Sequence, residues 1–353
     1  MPSSSAGPLR VALLGYGLAG RWFHRPLVGA ARDLRLTHVV TSDATRAGQA
    51  AGDAPGCVVV PDAAALWARA GEFDAVVVAT GNTSHTSLAL AALELGKPVV
   101  VDKPLGLTAA QARGPVDAAA RLGVPFTVFS NRRWDSDTLT LAALLRDGAL
   151  GTVSRFESRF QRFRPEVAVR WREAPAAQGG GILLDLGPHL VDQALHLFGP
   201  VLDVYAEVDV RRPGAETDDD CFLALRHASG TRTSLWCSLA APAGGPRVSV
   251  EGSTGGYVKR ELDGQEAALR AGWNPASGPW GREPAGLLTR GEVSHEVESL
   301  PGDWVAFYDA FAAAVRGHGP VPVEPRDAVS VLEVLDAART SSAEHRVVPF
   351  VGG

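Results

Sequence analysis

Mostly apolar runs punctuate the first third of the chain, at 9–14, 34–40, 57–60, 75–79, 99–101 and 125–129, several of them nearly pure valine. Between them, 87–95 and 109–122 have the composition and three-to-four-residue apolar spacing of helices. A strand buried on both faces is apolar at every position, and intervening helices supply the cover. The pattern therefore predicts an α/β unit built on a parallel sheet.

Beyond about residue 150 the period changes. Leu202, Val204, Ala206, Val208 and Val210 interleave with Asp203, Tyr205, Glu207, Asp209 and Arg211, as expected for a sheet with one wet face. Runs at 221–227, 231–239 and 247–251 extend that sheet, and a helix after Gly181 packs against it. Two helical patterns, 304–315 and 326–340, close the chain, and the Gly- and Pro-rich stretch 271–291 reads as a surface loop or oligomer contact.

Composition narrows the partners. With 353 residues, 46% of them hydrophobic, the chain can bury the core of two domains or one elaborated domain. A net charge of -5 leaves no basic field for nucleic acid or an anionic membrane, so the expected partner is a small molecule. No apolar run approaches the roughly 18 residues of a membrane span. The leading segment 1–7 lacks the basic head and apolar core of a secretory signal. Cys57, Cys221 and Cys237 lack Cys-x-x-Cys spacing and read as reduced thiols of a cytoplasmic protein, with no thiolate metal site.

Candidate chemistry begins directly after the first run, at Gly15-Tyr16-Gly17-Leu18-Ala19-Gly20. Glycines at this spacing let a strand turn tightly into a helix, whose free N–H groups and dipole receive a pyrophosphate. Residues 1–128 are thus expected to form a Rossmann dinucleotide-binding domain. Residues 129–353 should form the α+β domain, with an open, largely antiparallel sheet for substrate binding and oligomerisation, its closing helices packing back on the first domain.

An NAD site usually places an acidic residue about 20 positions after the cradle. Here the second run ends in neutral Thr41 and Ser42, which leave room for a 2′-phosphate that Arg46 could pair with. That favours NADP over NAD, while Asp43 could be a helix cap or a ligand of the ribose diol. Thr80, Asn82 and His85 follow the fourth run at the same carboxyl edge and are candidate cofactor contacts. His24 and Arg25, after the cradle, could be surface residues or lie near the cofactor.

The stretch 179–193, Gly-Gly-Gly-Ile-Leu-Leu-Asp-Leu-Gly-Pro-His-Leu-Val-Asp-Gln, carries Asp185 and His189 at i and i+4, expected on one helix face. Asp192 and His196 continue the stripe and read as structural; no third ligand motif accompanies them, so no metal is expected. Pro188 either marks a first helical turn or kinks the helix beside His189. Arg162, Arg164 and Trp171 precede the glycines and could line a sugar pocket, or the arginines could be the wet face of a strand.

Together these pieces resemble the Gfo/Idh/MocA sugar and polyol oxidoreductases. The resemblance runs through 15–20, 78–85, 96–105, Asn131-Arg132-Arg133-Trp134, 179–199 and 249–253 in order. Phe23-His24-Arg25-Pro26-Leu27 and Asn131-Arg132-Arg133-Trp134-Asp135 look most like the NADP-dependent scyllo-inositol dehydrogenase branch. The resemblance implies a homodimer or homotetramer formed through the open sheet. It also implies a cis bond before Pro104, and a catalytic trio of Lys103, Asp185 and His189. Two departures stand out: Asp102 precedes Lys103-Pro104 where the family has Glu, and Gly81 replaces a frequent proline.

Elementary chemistry makes sense of the trio. Oxidising a secondary alcohol requires removal of the hydroxyl proton as hydride leaves carbon, and histidine suits a general base near neutrality. Lys103 at a strand's carboxyl end can bind substrate and stabilise alkoxide charge; Asp102 beside it is a cofactor-side candidate. Asp185 could bind a substrate hydroxyl or orient His189. The expected activity is NAD(P)-dependent interconversion of alcohol and ketone on a cyclic polyol or sugar, inositol first. A keto-sugar reductase, an aldose dehydrogenase or a non-catalytic sugar or cofactor sensor are the alternatives.

Overall fold

A computed structural model describes residues 7–168, 173–278, 280–281 and 283–350. Its first sheet holds β1 (Leu9–Leu14), β2 (Leu34–Val40), β3 (Val58–Val60), β4 (Ala75–Val78), β5 (Val99–Asp102) and β6 (Phe126–Phe129). They run in the order β3-β2-β1-β4-β5-β6, every pairing parallel. The strand order reverses beside β1, which opens a crevice at the carboxyl edge, where ligands bind in such sheets.

Alternation within the valine runs explains the layering. Val76 and Val78 point to a core shared with Leu93 and Ala112, from α4 (His85–Glu94) and α5 (Ala109–Leu122). Ala75 and Val77 point the other way, into a core with Leu27 and Val28 of α1 (Arg25–Ala30). That second core also takes Trp304, Phe307, Tyr308 and Phe311 from a helix close to the end of the chain. The edge helices α2 (Ala44–Asp53) and α3 (Ala63–Trp67) complete this unit.

A second sheet follows α6 (Ser136–Arg146). It contains β7 (Val153–Gln161), β8 (Val201–Asp209), β9 (Asp220–His227), β10 (Arg232–Ser238), β11 (Val248–Gly252), β12 (Gly256–Lys259), β13 (Gly286–Arg290), β14 (Val293–Val297) and β15 (Val348–Pro349). The order is β14-β13-β12-β11-β7-β10-β9-β8-β15, antiparallel except between β7 and β10. One face is covered by α8 (Gly187–Phe198) and α11 (Pro325–Glu344); Arg155, Glu157, Tyr205 and Arg226 line a broad hollow on the other. Shorter helices α7 (Ile182–Asp185) and α9 (Gln265–Arg270) flank the site, and α10 (Trp304–Val315) is the helix that returns to the first sheet.

Two expectations need correction. The stretch 271–291 is only partly a loop: β13 lies in it, with Leu288 buried against the sheet and Leu287 facing outward. Its alternation spans few residues and sits among glycines and prolines, which masked it. Asp185 and His189 do not lie on one continuous helix. Asp185 ends α7, Leu186 is the joint, and Pro188 lies in the first turn of α8, where its missing N–H costs nothing.

Candidate functional site

The cradle takes the shape its glycines dictate. Gly15 has φ 95° and a Cβ there would overlap the carbonyl of Ala79, while a Cβ on Gly20 would strike the carbonyl of Gly15. Gly17 is different. A Cβ on it would meet only the Arg46 guanidinium, at 3.9 Å, so this glycine leaves open space for a phosphate to approach the backbone. The cradle therefore fits a dinucleotide.

Of its other members, Tyr16 turns inward, 2% exposed, and its hydroxyl contacts Asp53 at 3.2 Å, leaving its main chain for a ligand. Leu18 and Ala19 lead into the first helical turn, a wide one over Gly20–His24. Arg46 stands exposed, its Nε 4.0 Å from Asp43 Oδ2. Asp43 caps α2 by accepting the Arg46 N–H at 2.9 Å, so the cap reading of this aspartate holds. Thr41 and Ser42 sit at the strand end beside it, Thr41 half-buried and Ser42 exposed.

The loop after β4 is braced by its own side chains. The Thr80 hydroxyl meets that of Ser84 at 2.7 Å, and the Asn82 side-chain amide donates to the Gly179 carbonyl at 3.0 Å. Asn82 thereby ties the first sheet's loops to the glycine run of the second unit. His85, 1% exposed, places its ring nitrogens against the carbonyl oxygens of Pro104 at 2.8 Å and Thr80 at 3.1 Å. A neutral imidazole can donate to only one of them. With both nitrogens facing main-chain carbonyls, His85 braces two loops at the cofactor-side edge.

Lys103 extends from the end of β5, and the bond to Pro104 is cis. Its ammonium donates to the Asp185 main-chain oxygen at 2.6 Å and lies 3.3 Å from Asp185 Oδ1. Behind it, Asp102 Oδ1 accepts the Lys103 N–H at 2.8 Å, and Asp102 Oδ2 lies 3.5 Å from His24 Nε2. His24 is fully buried, with Nδ1 2.5 Å from the Tyr308 hydroxyl. Burial would raise the Asp102 carboxyl, but His24 and then Lys103 hold it below the usual carboxylate range. Burial, and then Asp102, push the Tyr308 hydroxyl well above its ordinary value.

His189 faces the same cavity as Lys103, bordered by Pro104, Pro188 and Leu332. It is 8% exposed, and burial drives its pKa well below the ordinary 6.5, helped by the charges of Lys103, Arg132, Arg247 and Arg162. At neutral pH the ring is therefore uncharged and able to take a proton. α7, which carries Asp185, is held at its start by Asp218: the main-chain oxygen accepts from Ile182 N at 2.8 Å and Oδ2 from Leu183 N at 2.7 Å.

The structure thus brings Lys103, Asp185 and His189 together. Arg162 joins them, with its guanidinium 4.9 Å from the Phe160 ring centre; that ring stacks near His189 at 6.5 Å. Arg164 lies two residues on, where its main-chain carbonyl accepts from Arg212 at 3.1 Å and its charge acts on Arg162. Trp171 lies outside the described residues. Asp192 binds Arg133 through two contacts, 2.7 and 2.9 Å, as a structural residue.

Sequence reasoning assigned no site role to Phe160, Arg132, Arg247, Asp218 or Tyr308. Arg132 was visible within the Asn131–Trp134 motif; the others join the site only through tertiary contacts.

The sheet order, the open cradle and the lysine at the carboxyl edge define a dinucleotide-binding oxidoreductase. Residues 9–130 match the oxidoreductase family with NAD-binding Rossmann fold, and residues 138–258 match the GFO/IDH/MocA C-terminal domain. The chain belongs to the GFO/IDH/MocA family. It is 42% identical over 344 residues to the uncharacterized oxidoreductase YdgJ of Escherichia coli (strain K12), covering 96% of this chain and 97% of the relative. It is 34% identical over 347 residues to scyllo-inositol 2-dehydrogenase (NADP(+)) IolW of Bacillus subtilis (strain 168), covering 96% and 95%. Among solved structures, the YPO2259 protein of Yersinia pestis superimposes with a TM-score of 0.92 at 38% identity, covering 99% of both chains. Among the described residues, no helix is long and apolar enough to cross a membrane.

Proposed function

We propose that this oxidoreductase interconverts a secondary alcohol and a ketone on a cyclic polyol or sugar, with NADP preferred over NAD and scyllo- or myo-inositol the first substrates to try. The observation that carries the reading is the meeting of Lys103 and Asp185 beside a buried, uncharged His189. The name of IolW, an NADP-dependent inositol dehydrogenase, supports both substrate class and cofactor. Arg46 beside Gly17 supports NADP, because a guanidinium there can meet a 2′-phosphate. Gly15 to Gly20, with Thr41, Ser42 and the loops at Thr80 and Asp102, would hold the cofactor, which supplies the hydride acceptor.

In this mechanism the C–H electron pair leaves the carbinol carbon as hydride, while a ring nitrogen of His189 takes the hydroxyl proton. Lys103 donates to the substrate oxygen as negative charge grows on it. Asp185 holds Lys103 in place and offers a carboxylate oxygen to a neighbouring hydroxyl. Reduction of a keto-sugar uses the same groups in reverse. The enzyme works in the cytoplasm as a homodimer or homotetramer, joined through the uncovered face of the second sheet. The test is to follow nicotinamide absorbance with inositols and aldoses under each cofactor. Turnover that survives unchanged in His189→Ala would sink the mechanism.

A further inference from the structure

Three guanidiniums surround the Phe160 ring: Arg132 at 4.8 Å, Arg162 at 4.9 Å and Arg247 at 5.7 Å from its centre. Two of them have carboxylate partners. Arg132 pairs with Asp135 and Glu266, each at 2.9 Å, and Arg247 with Asp137 at 3.0 Å. Arg162 has no side-chain hydrogen bond or ion pair among the described residues, and the neighbouring segment 169–172, Val-Arg-Trp-Arg, contains no carboxylate.

Charge follows that division. Arg132, with its carboxylates, is raised above the usual arginine value although burial opposes this. Arg162 is lowered, first by burial and further by the like charges of Arg164 and Arg132, despite Glu266 and Asp185 nearby. A half-buried cation with no carboxylate in ion-pair contact is costly, and neutral hydroxyls offset little of that cost. An oxyanion matches the guanidinium fork with two parallel hydrogen bonds. Arg162 also packs on the Phe160 ring against which His189 stacks, and its charge acts on both His189 and Asp185, which places it on the His189 side of the site.

We infer that the substrate is an anionic sugar or polyol, whose carboxylate or phosphate is held by Arg162 while Lys103 and His189 act on the alcohol. The inference rests on the hydride-transfer reading for its reaction, but its binding claim can be tested without turnover. The NADP-loaded protein is titrated calorimetrically with D-glucuronate, D-glucose 6-phosphate and myo-inositol, for wild type, Arg162→Gln and Arg162→Lys. NADP affinity in each variant reports an intact fold.

The expected result is tighter binding of an anionic probe than of inositol. Arg162→Gln should then reduce the anion-to-inositol affinity ratio about 10- to 100-fold, with Arg162→Lys retaining part of it. Binding of glucuronate alone identifies a carboxylate, and of the phosphate alone a phosphoryl group. The inference is overturned if neither anion outbinds inositol, or if Arg162→Gln weakens all three probes equally. Arg162-dependent anion binding without turnover of any probe would overturn the proposed reaction and leave this inference standing.

Discussion

The ammonium of Lys103 spans the two units, donating to the main-chain oxygen of Asp185 at 2.6 Å and lying 3.3 Å from its carboxylate. The shorter contact is to the main chain, which no substitution at Asp185 removes. The two residues should therefore differ in a measurable way. Lys103→Met deletes the donor to the alkoxide and is expected to lower kcat about 10²- to 10³-fold. Asp185→Asn leaves the ammonium anchored and should cost less in kcat, with its larger effect on KM. Steady-state kinetics of the two variants on one substrate decide this; an equal loss of kcat would refute the division of roles.

With His189 as the proposed base, its titration is expected to set the acid side of the pH dependence. Its pKa is held well below 6.5, first by burial and then by Lys103, Arg132, Arg247 and Arg162. kcat/KM should therefore stay flat through neutrality and fall only on an acid limb below about pH 6.5. Stability follows the same sign. Between the folded and unfolded pKa values the unfolded chain binds the extra proton, so stability is full above about 6.5 and lost as pH falls toward the folded value. Each such histidine contributes at most about 1.4 kcal/mol per pH unit in that window. His85, His196 and His227 are lowered as well, each mainly by burial, so His189→Gln should remove only part of the slope. Urea unfolding on either side of pH 6.5 measures it.

The parts legible in the sequence were those that rest on local rules. β1, β2 and α5 have the ends that their apolar spacing predicts, and the glycine spacing placed the cradle. Asp43 as a cap was one of two readings, and only the hydrogen bond to Arg46 N chose between them. What stayed hidden depends on distant contacts. Tyr308 reaches His24 across 284 residues of sequence, and Phe160 gathers arginines from three separate segments. The break between Asp185 and His189 was half legible: Pro188 signalled a boundary, but the joint at Leu186 is set by Asp218 fixing the start of α7 and by packing of Gly187 against Leu335 and Leu183.

The proposed preference for NADP makes Arg46 the residue to test. Its guanidinium lies over Gly17, half exposed, and its Nε is 4.0 Å from Asp43 Oδ2 while Asp43 Oδ1 caps α2. Arg46→Ala should raise KM for NADP about tenfold or more, as expected for loss of a charge-assisted contact to phosphate. KM for NAD, which lacks the extra anion, should change little. Equal shifts for the two cofactors would remove Arg46 from the site.

Two glycines of the cradle should fail in different ways when replaced by alanine. Gly15 has φ 95°, and its Cβ would overlap the Ala79 carbonyl that follows β4. Gly15→Ala must shift main chain inside the first sheet, and a loss of about 2–4 kcal/mol of stability is expected from strain combined with overpacking. Gly17 does not take the positive φ of Gly15, and its Cβ would meet nothing nearer than the Arg46 side chain at 3.9 Å. Gly17→Ala should therefore leave the unfolding midpoint within about 0.5 kcal/mol of wild type. It should still weaken dinucleotide binding, because the methyl group enters the space that a phosphate must occupy. Thermal unfolding without cofactor, set against the NADP dissociation constant, separates the two. A Gly17→Ala protein that binds NADP as wild type does would show that the open space above this glycine is not the phosphate site.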